Sequence, residues 1–347
     1  MSPRAIKHRL RSLVDLGCLA FGVLSYYEWR MRAGLTILMY HRVLPRSDCA
    51  DYPLESLVMP LEAFQQQVAW LSRSAEVVPV AEALERLAGG EASVKPLVSV
   101  TFDDGYADNF EHAAPVLESN GLRGTFFVAT DFVGRGFPFW FDVAADAWTR
   151  LDYGARMRLL EDLSSSWGQD SRKAKCGADL ASWMSALKLV PVTERDRCVE
   201  MARSRVEGEF DATRFRAMTR EQLVELDRRG HEVASHGVSH SILPLLDDTA
   251  LAHELRASRV ALSDWLGHDV NGFCYPNGDS DPRVIAAARA AGYRYACSTI
   301  EGLNRPGEDA FRLKRRPIAM RRVFGPDGAH SLLGFRTENS GLRSTWR

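Results

Sequence analysis

The spacing of apolar and polar positions changes period along this chain, and the changes mark out its elements. In Leu97 to Gly105, LVSVTFDDG, Val98, Val100 and Phe102 alternate with small polar residues, the period of a buried strand, and the run stops at two carboxylates and a glycine. Leu35 to Tyr40, LTILMY, is a near-continuous apolar run of strand length that ends at His41 and Arg42. Thr125 to Ala129, Glu232 to Ser235, Gly272 to Tyr275 and Tyr293 to Ser298 read as further strands. Between them the period lengthens. Leu61, Phe64, Val68 and Leu71 recur at helical spacing, and helices are also predicted over 80–87, about 107–119 with Pro115 placed to kink it, and 248–266. Thr219 with Gln222 forms a capping-box signal, Asp281 followed by Pro282 reads as a cap and first helical residue, and Gly121, Gly230 and Gly292 stand as stops.

Strand and helix thus alternate, which predicts an α/β fold of parallel units curled into a distorted barrel. The alternation lapses from Asp131 to about Thr213, where only helices broken by Gly, Ser and Pro are indicated. The expected layout is a barrel over 33–130 and 214–325, a helical insertion over 131–213, a basic amphipathic segment over 1–32 and a C-terminal tail over 326–347. Within the insertion Phe139, Trp140, Phe141 and Trp148 could stack on sugar rings, although packing is the commoner use of such a cluster.

A length of 347 residues suits one barrel-sized domain with an insertion, and a net charge of -1 gives no global reason to expect nucleic acid as a partner. The six cysteines, at 18, 49, 176, 198, 274 and 297, have no CxxC spacing, which argues against a zinc knuckle or disulfide framework and for a reducing, cytoplasmic setting; an exported form is the alternative. Arg4, Lys7, Arg9 and Arg11 precede a weakly apolar run, Leu13 to Tyr27, that Asp15 interrupts and Glu28 and Arg30 close. It is too polar for a membrane span and is expected to be a basic amphipathic helix, lying on a membrane as a peripheral contact or on the fold.

Candidate chemistry collects at the carboxyl ends of the predicted strands, where β/α architectures carry their working residues: His41, Asp103 and Asp104, His236 and His240, and Tyr275 to Gly278. Neighbouring strand residues point to opposite sides, so Asp103 and Asp104 suit two different tasks. His236 and His240 are four apart, so on a helical turn both imidazoles would face the same way. With one aspartate they make three ligands and leave a position for water, the pattern of a catalytic zinc site. A solvated Asp-Asp-Gly turn and unrelated histidines are the plain alternatives.

Three ordered motifs, TFDDG at 101–105, HGVSH at 236–240 and FCYPNG at 273–278, resemble those of the polysaccharide deacetylases that share the NodB homology domain, carbohydrate esterase family 4. LMYHRV at 38–43 is similar to the first strand of the exopolysaccharide-linked branch. The resemblance spans roughly Leu35 to Pro317, the insertion excepted. It implies a distorted β/α barrel and metal-dependent removal of N-acetyl or O-acetyl groups from a polysaccharide or a lipid-linked sugar precursor. It also implies Asp104, His236 and His240 as holders of Zn2+ or another divalent first-row metal, and Asp103 as general base. The backbone amide of Tyr275, in the turn with Pro276 and Asn277, would be the oxyanion donor. Two positions depart from the pattern: Gly237 stands where Ser or Thr is frequent, and Cys274 where many members carry Arg. A replacement cation is expected from Arg315 or Arg316, with Arg316 chosen as the site residue. The late Leu-x-His motif is not apparent, since His330 precedes Leu332, and His41 is the imidazole expected at the site instead. Hydrolysis of another C–N amide and a non-catalytic carbohydrate-binding role are the alternative readings.

Overall fold

The computed structural model describes residues 3–90, 94–136, 138–167, 179–325 and 328–346. Residues 168–178 of the expected insertion, including Cys176, and the ends of the expected terminal segments lie outside the described residues. The chain divides into two compact units, one of Met1–Arg135 with Ala217–Arg347 and one of Gly136–Arg216.

Among the described residues ten strands occur in the first unit: β1 Leu35–Tyr40, β2 Arg42–Leu44, β3 Val58–Pro60, β4 Glu76–Val77, β5 Leu97–Phe102, β6 Thr125–Val128, β7 Glu232–Ser235, β8 Gly272–Cys274, β9 Tyr295–Cys297 and β10 Arg316–Pro317. Among the described residues eight of them form one parallel sheet in the order β10-β1-β5-β6-β7-β8-β9, with β4 beside β5. Every residue of β1 and β5 is buried, which explains the apolar run of β1 and why the polar positions that alternate in β5 are only the small Ser99 and Thr101. The sheet curls until one short segment touches both of its edges. Leu313 bridges Cys297 at the end of β9, and three residues later Arg316 pairs with Leu38 of β1. Aromatic rings fill the space beside the central strands, with Phe102 stacked on Phe126 at 4.9 Å and on Tyr40 at 5.8 Å.

Local signals are realised as chemistry. Thr219 Oγ accepts from the Gln222 amide at 3.2 Å while the Thr219 amide donates to Gln222 Oε1 at 2.9 Å, a complete capping box. Asp281 accepts from the Val284 amide at 2.8 Å with Pro282 at the first helical position. One predicted helix differs. Over 107–119 the chain is helical as expected, but the turn that precedes Pro115, Asn109–Ala113, is π-helical and leads into the helix Ala114–Ser119, a local widening where the proline lacks an amide to donate.

The final residues of the chain carry the helix Leu332–Asn339, whose Phe335 is buried in the main core. In the second unit the helices Trp140–Arg150, Tyr153–Trp167, Leu180–Leu187 and Val192–Arg203 enclose a core of their own, centred on Trp148 stacked on Trp183 at 4.9 Å. Phe139, Phe141 and Trp148 are buried, so packing is their use.

Candidate active site

The carboxyl ends of β1, β5, β7 and β8 meet around Asp103 and Asp104. Both carboxylates are buried, and their surroundings differ. Asp103 follows the strand, its amide still donating to the Tyr40 carbonyl at 3.1 Å. Asp104 then takes a left-handed φ of 81° and Gly105 one of 98°, so the chain turns away and the two side chains diverge.

Asp103 is gripped by a guanidinium. Arg315 Nη1 donates to Oδ1 at 2.6 Å and Nη2 to Oδ2 at 2.8 Å, while its Nε donates to the Ser298 carbonyl at 2.9 Å. Burial alone would raise the Asp103 pKa, but the Arg315 charge and its two hydrogen bonds outweigh burial and hold the carboxyl well below the usual range. Cys274 Sγ lies 3.8 Å from Oδ2 and His41 Nε2 lies 3.9 Å from it. The expected replacement cation therefore exists, but it is Arg315 and not Arg316. Neighbouring residues of an extended segment point to opposite sides. Arg315 is turned into the curl, fully buried, while Arg316 is turned the other way, against Gly341 and Ser344.

Asp104 faces imidazoles. Its Oδ1 lies 3.5 Å from His236 Nε2 and 3.4 Å from His240 Nε2, and this buried oxygen has no hydrogen-bond partner. His236 Nδ1 donates to the Cys274 carbonyl at 2.7 Å, which fixes the tautomer and leaves Nε2 as a lone pair aimed at Asp104. Burial works against charge on His236, and the facing Asp104 and Asp103 carboxylates overcome it and raise its pKa. Burial, reinforced by His236, pushes His240 down to about 3, so it too presents a lone pair at neutral pH. Ligand atoms of Asp104, His236 and His240 all lie within 4.8 Å of one another. An orphaned carboxylate oxygen facing the Nε2 atoms of two imidazoles fits a divalent cation, which would stand where the carboxylates otherwise favour a proton on His236, and zinc suits this N/O donor set. Asp103, His236 and Cys274 lie equally close together, but Arg315 already occupies both Asp103 oxygens.

The two histidines do not stand on a helical turn as their spacing predicts. Residues 236–240 form a loop in which Gly237 has φ 85° and His240 φ 56°. What shapes it is Glu254, a buried carboxylate on the helix Asp248–Leu266. Its Oε2 accepts from the amides of Val238 at 2.7 Å and Ser239 at 3.1 Å, and its Oε1 accepts from Ser239 Oγ at 2.5 Å. A Cβ added at Gly237 would lie 2.9 Å from Glu254 Oε2, which explains the missing hydroxyl residue at this position. Glu254 was not singled out from the sequence, although an acid on the same stripe as Leu251, Leu255 and Leu262 is a usable signal.

His41 is held from behind. Arg42 Nε donates to Asp108 Oδ1 at 2.9 Å, the Val43 amide to Asp108 Oδ2 at 2.8 Å, and Asn109 Nδ2 to the His41 carbonyl at 2.7 Å. Tyr275 is a correction. Its amide donates to the Cys297 carbonyl at 3.0 Å and its hydroxyl to the Phe311 carbonyl at 3.1 Å, so neither is offered to an oxyanion. Pro276, which has no amide hydrogen, packs 3.9 Å from the site of a Gly237 Cβ, and Asn277 is exposed with a left-handed φ of 59°. His330 lies away from this cluster, between Gln66 Oε1 at 2.9 Å and Gln67 Nε2 at 3.0 Å.

The sequence profile of a family described as polysaccharide deacetylase matches residues 90–167 and 198–296, just over half of the chain. The chain belongs to the polysaccharide deacetylase family. Its deacetylase motifs at 101–105 and 236–240 fall inside the matched residues, and the third runs through it as well. A stretch of 104 residues, 30% of the chain, is 32% identical to the "Putative polysaccharide deacetylase YxkH" of Bacillus subtilis (strain 168), and it spans only 34% of that curated relative. Among solved structures the fold is similar to the Streptococcus pyogenes deacetylase PplD in complex with acetate, at 17% identity and a TM-score of 0.56, over 85% of this chain and 96% of that one. It is also similar to IcaB from Ammonifex degensii, at 22% identity and a TM-score of 0.52, over 83% and 92% of the two chains. These likenesses establish the curled, parallel deacetylase fold for this family member.

Proposed function

We propose that this chain is a metal-dependent hydrolase that removes acetyl groups from amino sugars of a glycan, either a polysaccharide or a lipid-linked precursor. The observation that carries the reading is the buried Asp104 Oδ1 left without a hydrogen-bond donor between His236 Nε2 and His240 Nε2. Asp104, His236 and His240 would hold the ion. Such an ion polarises a carbonyl oxygen and lowers the pKa of water from about 15.7 to about 7.

The protein groups divide the remaining work. Asp103 stays ionised because Arg315 faces both of its oxygens, and each oxygen keeps a lone pair that can take a proton from an attacking water. The same pairing makes it a weak base, suited to a water already acidified. Cys274 adds a thiol near Oδ2 where a second cation would depress the base further. His41 is the imidazole that reaches both Asp103 and solvent, and it is placed to hand a proton to the departing amine. The Glu254 clamp fixes the loop between the two histidines, so the ligand set is positioned before substrate arrives.

The test is acetate release from acetylated glucosamine oligomers by the purified chain, with a chelator and after zinc is restored. Release that the chelator abolishes and zinc returns supports the reading. Stoichiometric zinc with no acetate from any acetylated sugar would assign the same site to a different amide.

A further inference from the structure

The helices Pro3–Ala20 and Val23–Arg30 are turned inside out relative to an ordinary surface helix. Their acids face the protein: Asp15 is buried and paired with Arg343, and Glu28 accepts from Arg336 Nε at 2.8 Å and Nη2 at 3.0 Å. Arg11 likewise reaches inward to Glu338 at 3.1 Å. Most of their large apolar side chains face out, Leu24 being the buried exception. Leu13 is 65% exposed, Leu16 53%, Phe21 87% and Trp29 59%. Among the described residues seventeen large apolar side chains are exposed, and nine of them fall within residues 10–29. Amphipathic helices on a water-facing surface show the reverse polarity, and a concentration of this kind marks a contact surface.

We propose that this face docks on an anionic lipid bilayer. Charge selects that occupant. Arg4, Lys7 and Arg9 lie in the first helix with no acid before Asp15, and both acids of the pair of helices are already matched inside the protein. The sequence thus joins a basic end to an exposed apolar face, the composition that binds negative headgroups and the acyl boundary beneath them. Tyr26 and Trp29, stacked at 6.1 Å on the exposed side of the second helix, are the side chains that favour the headgroup level. Phe21 stands at the turn between the helices, where Gly22 has φ 72°. No helix among the described residues is long and apolar enough to cross a membrane, so the contact is one of lying on the surface.

This inference is independent of the deacetylase reading, because its readout is binding and needs no turnover. The full chain is sedimented with phosphatidylcholine vesicles with and without phosphatidylglycerol, at low and raised salt. The expected result is binding to the anionic vesicles that weakens with salt, and that falls about tenfold or more in Leu13→Ser/Leu16→Ser/Phe21→Ser. Circular dichroism of the variant checks that these outward positions leave the fold intact, and Arg4→Gln/Lys7→Gln/Arg9→Gln tests the charge without touching the apolar face. Three results would overturn the proposal: no sedimentation with either vesicle, equal binding to neutral and anionic vesicles, or a self-association of the chain that the triple serine variant abolishes. The last would assign the face to a second copy.

Discussion

Arg315 and Arg316 are adjacent and both buried, yet their environments give them opposite expected phenotypes. Arg315→Ala strands a buried carboxylate and should cost about 3–5 kcal/mol with loss of turnover. Arg315→Lys is the sharper probe, because it keeps the charge and gives up the two-pronged geometry. Asp103 has a folded pKa below its unfolded value. The pair therefore contributes stability that is fully present above the unfolded carboxylate pKa and is lost as pH falls through the folded one. Weaker pairing in Arg315→Lys should raise the acid limb of the kcat/KM profile, as a pH series measured on folded protein would show. Arg316→Ala, by contrast, should leave that limb where it is. His330 gives a second pH dependence. It accepts from Gln67 and donates to Gln66, and burial pushes it down to about 4. The folded state then binds fewer protons than the unfolded one between pH 6.5 and 4, and stability should decline across that window. His330→Gln should flatten the decline, by on the order of 1 kcal/mol at pH 5, read as a few degrees in Tm.

At the scale of elements, the loop 236–240 is built by a helix that follows it. Gly237→Ala adds a Cβ within 2.9 Å of Glu254 Oε2 at a left-handed φ, so the loop must shift and carry His240 with it. Zinc affinity should fall about 10- to 100-fold, as for lost outer-shell support, and Glu254→Ala should do the same. Glu254→Gln keeps an acceptor for the Val238 and Ser239 amides and should retain most of the affinity. Titration of the purified variants with zinc checks all three. The same loop shows what sequence can carry. TFDDG was legible because a strand buried on both faces must stay uncharged until it reaches the mouth of the sheet, where charge becomes tolerable. The helix caps at Thr219 and Asp281 were legible because capping is local chemistry. The four-residue spacing of His236 and His240 suggested a turn of helix, whereas tertiary hydrogen bonds from Glu254 decide the backbone there. Tyr275 failed for a related reason: whether an amide is free depends on which strand lies alongside, and that strand is β9.

For the whole molecule, the parts that stayed hidden are those made by closure. Residues 313–317 show no periodicity, being too short, and the choice between Arg315 and Arg316 turns on a register that exists only once the sheet has curled. Binding of an ion by ligands from two separate strand ends ties the ends together in the folded state alone. Zinc at a hundredfold excess over its Kd should therefore add about 2.7 kcal/mol, several degrees in Tm for a chain of this size. Asp104→Asn should show no such gain in a calorimetric scan.

The segment that joins the two rims of the sheet also carries the counterion of the proposed base. Leu313 and Arg316 hold its ends to β9 and β1, with Arg315 suspended between them. Any fraying of that latch withdraws the positive partner from Asp103 while most of the strands remain zipped. Inactivation under mild denaturant should then run ahead of the loss of secondary structure, so that the enzyme falls silent before it unravels.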